Sequence, residues 1–559
     1  MPSSAVLDAR ARGITLEKLA SQRFDLLVIG GGITGTGAAL DAASRGLRVA
    51  LIEARDLASG TSSRSSKLIH GGLRYLEQRD FKLVYEALHE RDLLVSKLAP
   101  HLVKPVSFLY PLYKKVVERP YVGAGLALYD AMEGTRRPVP FHKHLTAKGA
   151  LKIAPALAPG RLAGAMRYYD AQVDDARYTL TVARTAAAHG AVIATRVSAV
   201  SVPQDGGVVG GAVVRDEETG REFPVSAARV AICAGVWTDL VHELAGVSAG
   251  YQVRMSKGVH IVVPREAVRA DTGMILKTEK SVLFFIPWGS RWIVGTTDTD
   301  WSGDRAEPVP DEADVDYILS AANRVLAKPL TRADVIAVYA GLRPLVATNP
   351  GKPTTKLSRE HVVDVPVPGL ASIAGGKFTT YRIMARDVVD AVLGPSADVP
   401  ESVTDQTPLL GADGLAAVRA AAGRLAEDYG VPRETVEHLI ARYGSMAADV
   451  LDLVRSSPAL GTVLAPGHPY LRAEVAYAVT QEGALHVEDV LVRRVRLFIE
   501  SADSGASAAD EVSAIMGRLL GWSRRRRAAE TARYLDLVAA AEYAVLRRSE
   551  AVPPRVAAG

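Results

Sequence analysis

Gly30, Gly32 and Gly35 have the spacing of a turn that binds the phosphates of a dinucleotide. The first glycine permits a tight turn, the second lets the backbone approach a pyrophosphate, and the third lets a helix pack on a strand. Glu53 follows at the end of the next apolar run, where a carboxylate accepts hydrogen bonds from ribose hydroxyls and disfavours a 2′-phosphate. The pattern therefore predicts a site for FAD or NAD rather than NADP.

Residues 59–75 form a segment that is rich in hydroxyl groups, glycine and cations. Ser66 and Lys67 supply hydrogen-bond donors, and the glycine of the His70-Gly71 pair lets the backbone pass close to a flat ring. A segment of this kind directly after the second strand is what a flavoprotein needs to reach the isoalloxazine ring, and an NAD site has less need of it. FAD is therefore the preferred cofactor.

Three later segments carry further candidates, at residues 257–260, 341–344 and 375–382. His260 lies at the mouth of a predicted strand, a place where a lone histidine is more often structural than catalytic. Arg343 and Lys377 are embedded among Gly, Pro and Thr at predicted strand ends, and such placement suits recognition of an anion.

The elements that must position these residues begin with an apolar strand at 24–29, a helix that ends at Gly46 and a second strand at 48–53. Asp174 is a predicted N-cap of a helix that runs to His189, and a strand at 229–235 returns to the first sheet. Alternating segments between 251 and 299 indicate an antiparallel sheet. After about residue 405 the composition becomes helical. Five prolines interrupt the region assigned to a second domain: Pro105, Pro111, Pro120, Pro138 and Pro140.

The predicted fold is therefore α/β, with a Rossmann-like FAD-binding domain, an inserted antiparallel-sheet substrate domain and a C-terminal helical domain. The predicted boundaries are 20–104, 169–248 and 337–400 for the FAD-binding domain, 105–168 and 249–336 for the substrate domain, and 405–559 for the helical domain.

Bulk properties limit the function classes. The net charge of +5 among 559 residues is mild, and no zinc-ligand spacing or basic-aromatic stripe supports nucleic-acid binding. No metal site is predicted, because the sequence contains neither a zinc-ligand spacing nor an EF-hand loop. The lone Cys233, the absence of an apolar signal core and the absence of a long apolar run predict a protein facing the cytoplasm, with any membrane contact peripheral. No clear amphipathic anchor emerges.

Together these segments resemble FAD-dependent glycerol-3-phosphate dehydrogenase, a respiratory, quinone-linked family of the D-amino-acid-oxidase-like flavoproteins. The matching residues lie at 30–35, 61–75, 173–177, 257–260, 295–298, 341–344 and 375–381. The helical region resembles the family's C-terminal domain more loosely, at 443–444 and 490–497.

The resemblance implies that Arg74, Arg343 and Lys377 hold the phosphate of glycerol 3-phosphate, with Tyr75 and His260 also in the pocket. The chemistry agrees, because a phosphate near two negative charges in a partly dehydrated site needs about two or three fixed cations. The residues that would serve the flavin are Gly375, Gly376, Thr379 and Thr380, together with Ser66 and Lys67.

The implied reaction is oxidation of the C2 alcohol, with hydride passing to the flavin. Arg343 and His260 are the predicted catalytic residues, and His260 is the first candidate for the base because its ordinary pKa lies near neutrality. The resemblance also implies a membrane quinone as electron acceptor and peripheral contact with the inner face of the cell membrane, while a homodimer is left open.

Three alternatives remain. An oxidase would use O2 on the same substrate. A related flavoprotein would oxidise an amine or a 2-hydroxy acid, which is disfavoured because three cations exceed what one carboxylate needs. A non-catalytic flavoprotein would bind FAD without oxidising a substrate. Trp237 is interpreted either as a neighbour of the dinucleotide or as a plain core aromatic.

Overall fold

A computed structural model describes residues 5–77, 80–114, 117–133, 137–278, 282–347, 360–395 and 398–546. The side chains of Arg74, Glu77, Arg161 and residues 542–546 lie outside this description. Every strand, helix and contact named below belongs to these described residues.

The glycine turn leaves the carboxyl end of a strand in a six-stranded sheet. The strand order is His361–Val367, Leu370–Gly375, Val230–Ile232, Leu26–Ile29, Val49–Glu53 and Val192–Thr195. All neighbouring pairs are parallel except the first. Every residue of Leu26–Ile29 is buried because both faces of the sheet are covered. The predicted strand–turn–helix–strand unit is present, with its helix at Ile33–Ser44.

A larger, mostly antiparallel sheet contains ten strands in the described residues. Eight follow the order Thr299–Trp301, Gln252–Pro264, Arg291–Gly295, Val282–Trp288, Gly273–Lys277, Lys104–Leu112, Gly164–Gln172 and Leu68–Ile69. Ala337–Ala347 pairs with Gln252–Pro264, and Lys143–Leu145 pairs with Gly164–Gln172. This sheet combines strands from the two chain segments that were assigned to the substrate domain with Leu68–Ile69 and Ala337–Ala347, which lie in ranges assigned to the FAD-binding domain.

Two of the prolines that seemed to interrupt this region lie inside the strand Lys104–Leu112. On one side that strand pairs with Gly273–Lys277 only at Phe108 and Leu109. Pro105 and Pro111 fall beyond that short pairing, so the missing N–H groups cost no ladder hydrogen bond there. Pro120 lies in the first turn of the helix Glu118–Met132, where an N–H group has no intrahelical partner.

Smaller elements surround the two sheets. A four-stranded sheet has the order Arg23–Phe24, Glu222–Ala227, Gly211–Asp216 and Val197–Ser201, and a hairpin joins Gln204–Asp205 to Val208–Val209. The remaining helices before residue 400 are Arg12–Ser21, Arg74–Glu77, Phe81–Leu93, Ala147–Ile153, Asp175–Ala188, Thr238–Ala245, Glu312–Asn323 and Tyr381–Leu393. Asp174 caps its helix as predicted, because its side chain accepts the Arg177 N–H.

The C-terminal part is helical. Its helices are Leu415–Ala420, Ala422–Tyr429, Arg433–Tyr443, Ala447–Ser456, Arg472–Glu482, Leu497–Glu500, Ala509–Leu520 and Arg524–Leu546, with a π-helical turn at Asp489–Arg494. Its core is separate from that of the parallel sheet and contains Val475, Val479, Leu491 and Met516. Across the described ranges, no helix is both long enough and apolar enough to cross a bilayer.

Candidate active site

The glycine turn is shaped by close backbone packing. Gly30 has φ +118°, and a Cβ added there would lie 2.5 Å from the carbonyl oxygen of Cys233. A Cβ on Gly35 would overlap the carbonyl oxygen of Gly30. Gly32 is the N-cap of Ile33–Ser44, and the Ile33 N–H donates to Ser62 Oγ at 2.9 Å. The N-terminus of this helix lies at the turn, and the positive end of a helix dipole favours a phosphate.

Glu53 ends the neighbouring strand Val49–Glu53, and its carboxylate lies beside the glycine turn. Its Oε2 accepts the Gly31 N–H at 2.7 Å, and its Oε1 accepts the Arg55 N–H at 2.8 Å. Burial raises the pKa of this carboxyl group, and the two backbone donors oppose that rise. The carboxylate is thus fixed beside the glycine turn, and the predicted role toward a ribose fits this position.

A cavity of about 510 Å³ joins the glycine turn to the large sheet. Most of the residues predicted from the sequence line it: Gly30, Gly32, Glu53, Ser66, His70, Tyr75, His260, Arg343, Gly375, Gly376, Lys377 and Thr379. The glycine cradle at one part of this cavity and the titratable side chains at another fit a dinucleotide that carries a reactive ring.

His260 is almost fully buried, with 2% of its surface exposed. Its Nε2 lies 2.9 Å from Ser66 Oγ, and its ring stacks on Tyr339 with centroids 4.8 Å apart. Burial lowers the pKa of His260 well below 6.5, and the positive charges of Arg343 and Lys67 lower it further. The imidazole is therefore neutral at physiological pH and can accept a proton.

One face of the large sheet brings His260 and Arg343 into the same cavity. In an antiparallel pair, directly opposite residues and every second residue point to the same face. A Cβ added to Gly258 would lie 2.5 Å from an Arg343 nitrogen, so the glycine makes room for the guanidinium. The register pairs on this face are His260 with Tyr339, Gly258 with Gly341, and Ser256 with Arg343.

Two cations line the cavity on this side. The Arg343 guanidinium donates to Thr296 Oγ1 at 3.1 Å and to the Thr297 carbonyl at 3.2 Å. The Lys377 ammonium lies 3.8 Å from the centroid of the Tyr75 ring. Arg74, the third predicted cation, has its side chain outside the described part of the structure. Two fixed cations in a partly buried cavity are suited to an anionic substrate.

Four of the predicted cofactor residues do not line the cavity: Gly35, Lys67, Gly71 and Thr380. Gly35 and Gly71 instead permit close packing, and the Gly71 N–H donates to Tyr129 at 2.9 Å. Thr380 precedes the helix Tyr381–Leu393 and contacts backbone.

Lys67 differs most from the prediction. Its backbone has φ +57°, and its ammonium is fully buried against Asp175 at 2.9 Å and the Ser63 carbonyl at 3.1 Å. The ammonium group therefore does not reach the cavity, which Ser66, one residue earlier, does line.

Sequence reasoning missed an apolar part of the cavity wall. Val197 and Ala199 lie on one strand, and Leu240 and Leu244 lie one turn apart on the helix Thr238–Ala245. No motif marks them, although the four-residue spacing of the two leucines is a weak helical signal. Trp237 also lines the cavity, so it is not a plain core aromatic.

The fold and the site define a dinucleotide-binding oxidoreductase, and the comparisons specify which kind. Residues 25–388 match the family described as FAD dependent oxidoreductase, and residues 402–527 match the C-terminal domain of alpha-glycerophosphate oxidase. The chain is 51% identical over 538 residues to glycerol-3-phosphate dehydrogenase 2 of Mycobacterium tuberculosis, covering 96% of this chain and 92% of the relative. The chain therefore belongs to the FAD-dependent glycerol-3-phosphate dehydrogenase family.

Two further similarities agree. The mitochondrial glycerol-3-phosphate dehydrogenase of Homo sapiens is 38% identical, over 94% of this chain and 74% of that protein. The crystal structure of glycerol-3-phosphate dehydrogenase from Bacillus halodurans, complexed with FAD, superimposes with a TM-score of 0.80 at 30% identity, over 97% of this chain and 100% of that one. The predicted fold class and the predicted FAD cofactor are confirmed.

Proposed function

We propose that the protein oxidises sn-glycerol 3-phosphate to dihydroxyacetone phosphate and passes the electrons to a quinone in the membrane. The observation that carries the proposal is one cavity in which a neutral, buried His260 and the cations Arg343 and Lys377 join the glycine turn. The names of the relatives support the substrate.

Arg343 and Lys377 bind the phosphate and thereby fix the distance of C2 from the rest of the site. Arg343 is itself held by Thr296 and Thr297, so its guanidinium is oriented before substrate arrives. Binding energy from a group remote from C2 is spent on positioning the reacting C–H bond.

His260 accepts the proton of the C2 hydroxyl through Ser66: the Ser66 hydroxyl, 2.9 Å from Nε2, gives its own proton to that nitrogen and takes the proton of the substrate. The alcohol carbon loses a hydride, its oxygen loses a proton, and a ketone forms. When bound, FAD supplies the two-electron acceptor for that hydride. The stack on Tyr339 fixes the plane of the imidazole, so the base is oriented as well as neutral.

The helix Glu118–Met132 offers a surface for the membrane. All of its exposed residues are apolar: Pro120, Tyr121, Ala124, Ala127, Leu128 and Ala131. Tyr121 is 60% exposed and Leu128 is 40% exposed. A contiguous apolar surface of this kind is uncommon on a protein that stays in water.

Charge and location indicate an anionic bilayer as the occupant of this surface. The exposed Lys114 precedes the helix, and the exposed Lys143 lies on the strand beside it, where a Cβ on Gly123 would lie 3.1 Å from His144. Lysines around an apolar face attract anionic lipid headgroups. On the opposite side of the helix, Tyr129 contacts Gly71, next to His70 in the cavity wall. Docking here would bring the bilayer close to the flavin.

Vesicle sedimentation tests the membrane surface. The wild type should sediment with phosphatidylglycerol vesicles and less with phosphatidylcholine vesicles, whereas the double variant Tyr121→Ser, Leu128→Ser should stay in solution. Val208→Ser, at a valine that is 50% exposed and lies on the hairpin at residues 204–209, is the matched control and should bind like the wild type. Failure of the wild type to bind, or equal binding by all three, contradicts the proposal.

Arg343→Ala tests the phosphate site. We expect kcat/KM for glycerol 3-phosphate to fall by an amount that corresponds to about 2–5 kcal/mol of lost transition-state stabilisation. The loss should appear mainly as a higher KM, because a charged partner is lost from a desolvated pair. Arg254→Ala, on a neighbouring strand with its own Asp300 partner, is the control. An unchanged KM removes Arg343 from the substrate site.

The electron acceptor is tested by comparing turnover with a soluble quinone and with O2, while hydrogen peroxide is measured. The proposal predicts fast turnover with the quinone and little peroxide. Peroxide formed in proportion to substrate consumed identifies an oxidase instead.

A further inference from the structure

A cluster of buried ionic groups lies directly behind the segment that carries Ser66. Asp175 is its centre, and its side chain is fully buried. One carboxylate oxygen, Oδ2, accepts both the N–H and the hydroxyl of Ser65, at 2.9 and 2.7 Å. Because Ser65 precedes Ser66, this carboxylate fixes the backbone from which Ser66 reaches His260.

The other carboxylate oxygen is shared by two cations from different parts of the chain. Lys67 Nζ lies 2.9 Å from Asp175 Oδ1, and the Arg496 guanidinium lies 3.2 Å from the same atom. Both cations also donate to the Ser63 carbonyl, at 3.1 and 3.0 Å. Residues 63–67 are thus held at both ends by one small network.

Arg496 belongs to the C-terminal helical domain, and it is the member of this network that crosses from that domain. Its side chain is 2% exposed, and its backbone lies in the left-handed region with φ +59°. Burial, with the neighbouring Arg496 charge, lowers the pKa of Lys67 to about 8. Loss of either cation removes a buried donor from both Asp175 Oδ1 and the Ser63 carbonyl, so these two acceptors would be held by a single side chain.

We propose that Arg496 is a positioning residue for catalysis: through Asp175 and Ser63 it holds Ser66 at the distance from which its hydroxyl orients the His260 imidazole. The C-terminal domain therefore contributes to the chemistry although it supplies no residue to the cavity wall in the described structure. The inference rests on the proposed role of His260 as the base.

The test compares Arg496→Lys with Arg494→Lys in the FAD-loaded full-length protein. Arg494 is an equally buried arginine of the same domain that crosses to Asp56, at 2.8 and 2.9 Å, and does not touch residues 63–67. Two readouts are used: hydrogen exchange of the peptide covering residues 61–69, and the rate constant of anaerobic flavin reduction at saturating glycerol 3-phosphate.

For Arg496→Lys we expect faster exchange at the Ser65 and Lys67 amides and flavin reduction at least about tenfold slower, because small displacements of catalytic groups are costly. KM should change little, and Arg494→Lys should match the wild type in both readouts. In a Ser66→Ala background, Arg496→Lys should cost little more, because the two changes act through one link.

Equal slowing by both arginine variants, or wild-type behaviour of Arg496→Lys, overturns the inference. If Arg496→Lys does not fold, Ser65→Ala breaks the same link from its other end and must show the same slowing. If the wild-type flavin is not reduced by glycerol 3-phosphate, the proposed function fails, and hydrogen exchange alone still decides whether Arg496 holds residues 63–67.

Discussion

His260 lies between a hydroxyl group and an aromatic ring, with Ser66 Oγ at 2.9 Å and the Tyr339 ring stacked against it. Burial removes the water that would stabilise an imidazolium, and the charges of Arg343 and Lys67 oppose protonation further. The same arrangement that makes His260 a weaker base than a free imidazole keeps it unprotonated at neutral pH, and therefore available as a proton acceptor. His260 lies within the strand Gln252–Pro264 and not at its mouth, where the sequence predicted it. A lone histidine in a sequence does not reveal these surroundings, because its neighbours are brought together only in the folded chain.

His260→Asn should lower kcat by about 10²–10⁴-fold, the usual range for a lost general base, while KM changes little. Stopped-flow flavin reduction and steady-state kinetics measure the two effects. His438→Asn, in the C-terminal helical domain and paired with Glu474, serves as the control. Equal damage to kcat and KM, or no damage, excludes the role.

The pH dependence of flavin reduction should follow the lowered pKa of His260. A base with a folded-state pKa below 6.5 stays neutral as pH falls from neutrality to 6.5, and loses activity only as pH falls through the lower value. The apparent second-order rate constant of flavin reduction at low substrate, which reports the free protein, should therefore show no loss due to His260 above pH 6.5. A decline whose midpoint lies at or above 6.5, and which His260→Asn abolishes, contradicts this environment for the base.

The paired strands Gln252–Pro264 and Ala337–Ala347 convert sequence alternation into a site. Their register puts His260 and Arg343 on one face and Lys257 on the other, where it pairs with Asp314. The motifs around these residues were visible in the sequence, but the register was not, because it depends on which long-range strand pairs form. Conversely, the first strand, glycine turn and helix were predictable from local pattern alone.

Gly258→Ala is expected to disturb substrate binding without touching a charged group. The new Cβ would lie 2.5 Å from an Arg343 nitrogen and push the guanidinium aside. We expect kcat/KM for glycerol 3-phosphate to fall by an amount that corresponds to about 1.5–3 kcal/mol of lost transition-state stabilisation, which is the contribution of one hydrogen bond to a charged group. Steady-state kinetics measure it. At Gly250, an added Cβ meets nothing within 4 Å, so Gly250→Ala should behave as the wild type, and equal kinetics for both variants contradict the account.

The helix Glu118–Met132 and the loop at Lys67 show where sequence reasoning reached its limit. The prolines suggested a region without regular structure, yet Pro105 and Pro111 lie in a strand and Pro120 lies in the first turn of a helix. Lys67 was predicted to contact the cofactor because the surrounding segment is rich in hydroxyl groups, glycine and cations. Its backbone is left-handed, however, and its side chain lies in the buried ionic network with Asp175. Both outcomes depend on tertiary context, which local composition does not encode.

At the scale of the whole molecule, the FAD-binding sheet, the large sheet and the helical domain meet around one cavity and its supporting network. The fold class, the cofactor and the family were predictable because the motifs are local and spread over most of the chain. The domain boundaries remain predictions. The apolar wall formed by Val197, Ala199, Leu240 and Leu244 was not predictable, because it joins two separate segments that carry no motif.

FAD should stabilise the entire fold, because the cavity proposed to hold it is built by elements from distant parts of the chain. Adding FAD to apoprotein should raise the Tm in a concentration-dependent way, with about 2.7 kcal/mol gained at a free concentration 100 times the Kd. Differential scanning fluorimetry with NAD as the control measures this. An equal shift with NAD, or none with FAD, contradicts the assignment of the cavity.

The most direct test of the central claim is the visible spectrum of the purified holoenzyme under anaerobic conditions, before and after sn-glycerol 3-phosphate is added. Glycerol, lactate and sarcosine are the controls. Bleaching of the oxidised flavin by the phosphate ester alone is the predicted result, because only that substrate engages Arg343 and Lys377 while presenting a C2 alcohol to His260. A flavin that stays oxidised with glycerol 3-phosphate but bleaches with lactate or sarcosine would contradict it.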